Sequence, residues 1–329
     1  MRVLTFGEML LRLTTDPTVH LQQTNQFDFY YGGAEANVAV SLANLGITSR
    51  YITKVPANNI GNACENYLQA NGVEINELVY GGDRLGLYFV ESGFGNRASQ
   101  VTYDRKFSSF ANIRSDEIDW DQVLEGVDVF HTTGITLALS EELRMITRRA
   151  MQKARQRGIK VSFDFNYRSK LWSQKQASAA IQEVLPFVDI AFCNSMDAVY
   201  LLGIEQQDDL TAYYLTIQDT YPNIALFAST TRKVASSSKH SLQGNLYTKG
   251  RIQQSIEYTI DPVIDRIGGG DAYAAGIIYG FLNNWSEEKI VSFATANAVL
   301  KHTIKGDGNV FSAEEVEQFS ASMNQEISR

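Results

Sequence analysis

The chain has 329 residues, 44% hydrophobic and 20% charged, with a formal net charge of −8. Those proportions describe a soluble globular chain, long enough for one large α/β domain or two ordinary ones. The negative balance argues against a general nucleic-acid binder, which is normally basic, although a few arginines in a pocket can still hold an anion. Cys64 and Cys193 show neither a disulfide framework nor metal-ligand spacing. The N-terminus MRVLTFGEML lacks the regions of a signal peptide, and no run of about 18 apolar residues occurs. The expectation is a cytoplasmic protein with no membrane or nucleic-acid partner.

In chain order, RVLTFG reads as a strand, followed by an aromatic and glycine-rich stretch to FDFYYGG. AEANVAVSLANLG is a helix with a glycine stop. LGLYFVES and ASQVTYDR are β-rich segments separated by GFGN, with no helix between them. They are expected to form, with the earlier segment, a small antiparallel lid from about residues 9–33 and 84–110. Such a lid suits a reaction that must exclude water. From about residue 127 strands and helices alternate: VDVFHTTG, SEELRMITRRAMQKARQRG, IKVSFDF, SQKQASAAIQEVLPF, VDIAFC. This order implies parallel strands with crossover helices, and ligands then bind beyond the carboxyl ends of the strands.

Residues 265–276 read DRIGGGDAYAAG. This is no Walker A loop, since no G-K-[ST] follows. Nor is it G-x-G-x-x-G, because counting from Gly268 the last position is Tyr273. The following DAYAAGIIYGFL reads as a helix. The amides of Gly268, Gly269 and Gly270 would therefore join a helix N-terminus, a ready anion site. The plainer alternative is a loop in which Asp271 only caps the helix.

The segment from Asp265 to Asp271 resembles the D-T-x-G-A-G-D signature of the ribokinase-like (PfkB) carbohydrate kinases. The stretch from Gly32 to Ala39, leading to Leu45-Gly46, resembles the first signature of the same family. One departure stands out: Arg266 occupies a position where the family has threonine or a small residue. The resemblance implies a three-layer αβα fold with a central, mostly parallel sheet, as a single domain over 1–329 with the discontinuous β lid inside it. It implies ATP and Mg²⁺ as cofactors. Asp271 would be the general base that takes the proton of a sugar hydroxyl, and the Gly268–Gly270 amides would stabilise the transferring phosphoryl group.

On the acceptor side, Gly33 lets backbone approach a sugar hydroxyl and Asn37 adds a side-chain contact. Tyr103 and Arg105 are two apart and share a strand face. Arg168 follows the strand ending FDFNYR. Two arginines reaching one pocket favour a carboxylate, through strong and directional pairing; a neutral sugar has no need of them. G-G-A-E-A-N with Tyr88, Y-D-R and D-F-N-Y-R resembles the 2-keto-3-deoxygluconate kinase branch of the family. In that branch Gly33, Tyr88, Tyr103, Arg105, Arg168 and Asp307, the last in a G-D-G loop, would bind the sugar acid.

On the nucleotide side, Asn194 and Asp197 match a family N-x-x-E that acts near Mg²⁺ and the phosphates. Asn194 is equally a plain helix cap. Ser229 and Thr230 are expected near the nucleotide, and Asn297 matches a position lining the adenine pocket. Asp265 and the backbone of Ile267 match a monovalent-cation (K⁺) site of some relatives. Open lid edges invite pairing with a second copy. A fructokinase or other neutral-sugar kinase, and a non-catalytic sugar sensor, stay open as alternatives.

Overall fold

The structure is a computed structural model, and it describes residues 1–322. A nine-stranded sheet runs through the centre of the molecule. Its strands, from one edge, are Arg251–Gln254, Lys239–Thr248, Leu226–Ser236, Ile190–Phe192, Lys160–Asp164, Val129–Thr133, Arg2–Phe6 and Thr48–Ile52, with Tyr258–Ile260 also paired to Lys239–Thr248. From Thr48–Ile52 to Leu226–Ser236 every pairing is parallel. The strands at the other end pair antiparallel. Central strands such as Val129–Thr133 are buried at every residue, as a parallel sheet covered on both faces demands.

Helices cover both faces. Glu141–Gln156 and Gln174–Val184 place Leu143, Ile146, Ala177 and Ile181 in one core with Phe130, Phe163 and Phe227 of the sheet. Ser140 and Ser173 cap these two helices by accepting backbone N–H groups. On the other face, Ala34–Asn44, Gly269–Leu282 and Glu287–Lys301 pack Val38, Leu42, Ile277 and Ile290 against Val3, Val129 and Leu246. Side chains at Gly276 or Gly280 would strike Ala294 or Ile290. These two glycines, one helical turn apart, therefore let the last two helices approach closely. The helix that begins at the glycine turn is thus clamped along its length.

A second sheet forms the lid, in the order Asp28–Gly32, Leu10–Thr14, Gly86–Glu91, Gln100–Asp104. The expected lid segments are its strands, but the all-antiparallel arrangement is corrected. Leu10–Thr14 and Gly86–Glu91 run parallel. The physical reason lies in the connection between them, which returns through the main sheet and so brings the chain back in the same direction. Among its contacts with the body, Lys170 Nζ donates to Val101 O at 2.5 Å, Ser237 Oγ donates to Gly95 O at 2.7 Å and Lys305 Nζ donates to Asp28 Oδ2 at 3.0 Å. No helix among the described residues is long and apolar enough to cross a membrane.

Candidate active site

Two cavities meet under the lid, at the carboxyl ends of the parallel strands. The first, about 450 Å³, is walled by the lid residues Tyr88, Tyr103 and Arg105, by Gly33 and Asn37, and by Gly268, Gly270, Asp271 and Asp307. The second, about 530 Å³, is walled by Asn194, Asp197, Thr230, Gly269, Gly270 and His302. Asp164, Arg168, Arg232, Arg266 and Gly270 border both. One ligand in each cavity would therefore face the other across Gly270.

The turn at this junction is built for close approach. Gly268 is the helix N-cap in the left-handed region at φ +82°, and a side chain there would collide with the Asp307 carbonyl. A side chain at Gly270 would meet no protein atom and would project into the open space between the cavities. The helix proper starts at Gly269, so Asp271 stands in its first turn. The amide of Gly269 reaches back to Arg266 O at 3.4 Å. Of the three glycine amides expected as donors, that of Gly269 already has an acceptor within the turn.

Asp271 accepts a hydrogen bond from Asn37 Nδ2 at 2.7 Å. Asn37 is held by the helix Ala34–Asn44, and Gly33 before it sits at φ +135°, where a side chain would strike Glu8 O. Burial pushes the Asp271 carboxyl up to about 7, against the opposing pull of Asn37 and Arg168. Asp164, at the end of its strand, is pushed up to about 8 by burial and then by the charges of Asp271 and Asp197. Arg168 pulls on all three carboxylates but forms no ion pair with any described residue.

The five arginines around the site fall into two groups. Arg105 places Nε 2.7 Å from Glu8 Oε2 and adds Nη2 to the same oxygen, with Ser108 Oγ donating to the other oxygen. Glu8 is 1% exposed, so the pair is internal and its charge is cancelled. This corrects the reading of Arg105 as a free cation waiting for an anion: it borders the first cavity already paired. Arg12, 1% exposed, bridges Asp265 and Asp307, the latter at 2.9 Å, and its guanidinium lies 4.5 Å from the centre of the Tyr30 ring. Asp307 also accepts the Tyr88 hydroxyl. Arg168, Arg232 and Arg266, by contrast, have no carboxylate partner among the described residues. Burial lowers the Arg232 pKa, and Arg266 lowers it further, so two like charges are held close together.

On the nucleotide side, Asn194 Oδ1 accepts the amides of Met196 and Asp197 at 2.8 and 3.1 Å, while Asp197 Oδ2 accepts the Asn194 amide at 3.0 Å. The pair is a reciprocal helix cap that also borders the cavity. Thr230 borders it too. Ser229 does not: it is 8% exposed and its hydroxyl accepts from Tyr214. The two positions differ because successive strand residues face opposite ways. Asn297 is also displaced from its expected place. It is fully buried, donates to Ala272 O at 2.7 Å and accepts from Asn309 at 2.6 Å. It braces the start of the helix that follows the glycine turn from behind.

Sequence reasoning missed Glu8, Arg12, Glu35, Asp164 and Arg232. Glu35 lies inside the first signature, and its Oε1 accepts from the Thr133 amide and from the Thr133 and Thr136 hydroxyls at 2.7–3.0 Å. It thereby joins the Ala34–Asn44 helix to the end of a central strand. The one available signal was a glutamate between two alanines at the start of that helix.

An electropositive seam between two cavities, a glycine turn at a helix N-terminus, a buried carboxylate beside it and a lid above define a phosphoryl-transfer site on an α/β sheet. The pattern of the pfkB family carbohydrate kinases matches residues 2–313, and the chain belongs to that family. Its activity class is accordingly ATP-dependent phosphorylation of a sugar. The chain is 30% identical to 2-dehydro-3-deoxygalactonokinase of Haloferax volcanii, over 96% of this chain and 95% of the relative. Among solved structures, a PfkB family carbohydrate kinase from Listeria grayi is 45% identical with TM-score 0.95, covering 98% of this chain and 100% of that one. The 2-dehydro-3-deoxygluconokinase of Thermotoga maritima is 36% identical with TM-score 0.94, covering 98% and 99%.

Proposed function

We propose that this kinase transfers the γ-phosphoryl group of ATP to 2-keto-3-deoxygluconate, giving the 6-phosphate, in the first cavity. The observation that carries the reading is Asp271. Its carboxylate borders the acceptor cavity and sits one residue from Gly270, which borders both. A sugar hydroxyl seated there gives its proton to Asp271 as oxygen bonds to the γ-phosphorus and the bond to the β-phosphate oxygen breaks, releasing ADP. With its pKa pushed to about 7, Asp271 is a better proton acceptor than an ordinary carboxylate near 3.9. The Gly268 and Gly270 amides and the helix N-terminus face the charge that develops on the phosphoryl oxygens.

The carboxylate of a sugar acid is matched by Arg168, one of the three unpaired guanidiniums that border the acceptor cavity, with Gly33, Tyr88 and Tyr103 around the rest of the molecule. Asp307 accepts Tyr88 and so sets the position of its ring. Relatives named for 2-keto-3-deoxy sugar acids support this reading over a neutral sugar. Arg232 and Arg266, unpaired at the seam, suit the polyphosphate. No three carboxylate, histidine or cysteine groups among the described residues lie close enough to hold a metal by themselves. Asp164 and Asp197 border the nucleotide cavity singly, which fits Mg²⁺ held mainly by phosphate and water. Bound there, the ion would neutralise phosphate charge. We also propose that the lid edges Asp28–Gly32 and Gln100–Asp104, near exposed Phe29 and Phe94, pair with a second copy.

The test is ADP release with 2-keto-3-deoxygluconate, its galactonate epimer, fructose and ribose. Activity should be greatest with a sugar acid, and Asp271→Asn should lower kcat by about 10²–10⁴-fold. Release confined to fructose would sink the substrate assignment, and full activity in Asp271→Asn would sink the base.

A further inference from the structure

The resemblance places a monovalent cation at Asp265 and the Ile267 backbone, and the residues present do not fit one. Asp265 Oδ1 accepts the Ile267 amide at 3.1 Å, and Oδ2 accepts the Gly306 amide at 3.1 Å together with Arg12 Nη2. Both carboxylate oxygens are thus turned toward N–H donors, whereas an alkali ion requires oxygen ligands. A second buried cation stands behind the turn. Lys301 is fully buried, its Nζ lies 3.5 Å from Ile304 O, and its stem packs under Gly268. Arg12 and Lys301 therefore balance Asp265 and Asp307, and an added ion would leave an uncompensated buried charge.

We infer that Arg12 is a built-in cation that takes the place of the monovalent ion beside the glycine turn. The guanidinium arrives on the lid strand Leu10–Thr14, so the charge that orders the 265–271 turn comes with the seated lid and not from dissolved salt. This inference uses the kinase reading to locate the site, but its first test does not depend on turnover.

The chain, dialysed free of alkali ions, is melted in choline chloride, NaCl and KCl at equal ionic strength, and ²⁰⁵Tl⁺ is added as an NMR probe. Melting temperatures should agree within about 1 °C, with no saturable Tl⁺ binding. A K⁺-specific rise in melting temperature, or saturable Tl⁺ line broadening, would overturn the assignment. In the ADP-release assay, the rates in K⁺ and choline should agree within twofold, and a saturable fivefold activation by K⁺ would equally overturn it. Arg12→Ala should lose at least tenfold in kcat/KM and regain part of it with added guanidinium. Full activity without any cation would contradict the inference. Should that variant not fold, the melting and Tl⁺ measurements on the unaltered chain still decide. A chain that phosphorylates no sugar, yet melts identically in all three salts, would refute the kinase reading and leave this one standing.

Discussion

Arg12 and Arg105 stand at the same site as Arg168, Arg232 and Arg266, Arg105 in its wall and Arg12 behind Asp307, yet the two sets differ in their partners. The first two are buried and each is closed on a carboxylate of the protein. The other three are exposed and have no carboxylate partner among the described residues. A paired arginine fixes geometry, because its hydrogen bonds are spent on the chain itself. An unpaired cluster of like charge is costly in the empty protein and becomes favourable only when an anion arrives. On the proposed reading, partner status therefore separates framework from recognition at this site, where residue type alone does not.

The largest expected effect tests the framework half. Arg105→Met leaves Glu8 buried without its cation, a loss of about 3–5 kcal/mol by the behaviour of broken buried pairs. The double variant Arg105→Met, Glu8→Gln should recover most of that stability in thermal or urea unfolding. If the single variant melts like the parent protein, the pair is not structural and Arg105 returns to the recognition set. Next comes Arg168→Ala, which should melt within about 2 °C of the parent while kcat/KM for the sugar acid falls about 10–150-fold, the worth of a charge-assisted contact of 1.5–3 kcal/mol. An unchanged rate with the sugar acid would remove Arg168 from the acceptor site. Arg266→Thr, which restores the residue type of relatives, should raise KM for ATP about tenfold, or 1.4 kcal/mol, and leave KM for the acceptor within twofold. The reverse split would assign Arg266 to the acceptor.

The difference between the two sets also marks what was legible in the sequence. The alternation after residue 127 is read directly, because short strand-like segments alternate with helices that carry serine caps. The glycine turn and Asp271 are legible because their chemistry is local: spacing, small residues and a helix start. The lid strands are visible, but the parallel pairing of Leu10–Thr14 with Gly86–Glu91 is not, since it depends on the path of the chain between them. Arg105 was visible and its partner was not. Glu8 lies far from it in sequence, and no periodicity joins them. Arg12 and Asp265 repeat the point across a still longer separation. Ser229 and Thr230 differ in strand facing, and the phase of that alternation is set by the antiparallel hairpin Leu226–Ser236 and Lys239–Thr248.

A pH-dependent effect concerns Asp164, which borders the seam with the unpaired arginines and yet holds its proton to about pH 8. A carboxyl raised in the folded state binds more protons folded than unfolded between about pH 4 and 8. Stability from this group therefore falls as pH rises through that window. Asp164→Asn removes the dependence. The variant and parent should melt together near pH 4 and diverge steadily above it, with the variant the higher-melting of the two at pH 8. Bound nucleotide with Mg²⁺ would favour the ionised form and narrow the gap. A variant that melts below the parent at pH 8 would mean that Asp164 is ionised and paired with Arg168. Arg168 would then move from the recognition set to the framework set, and the division between the two groups of arginines would have to be redrawn.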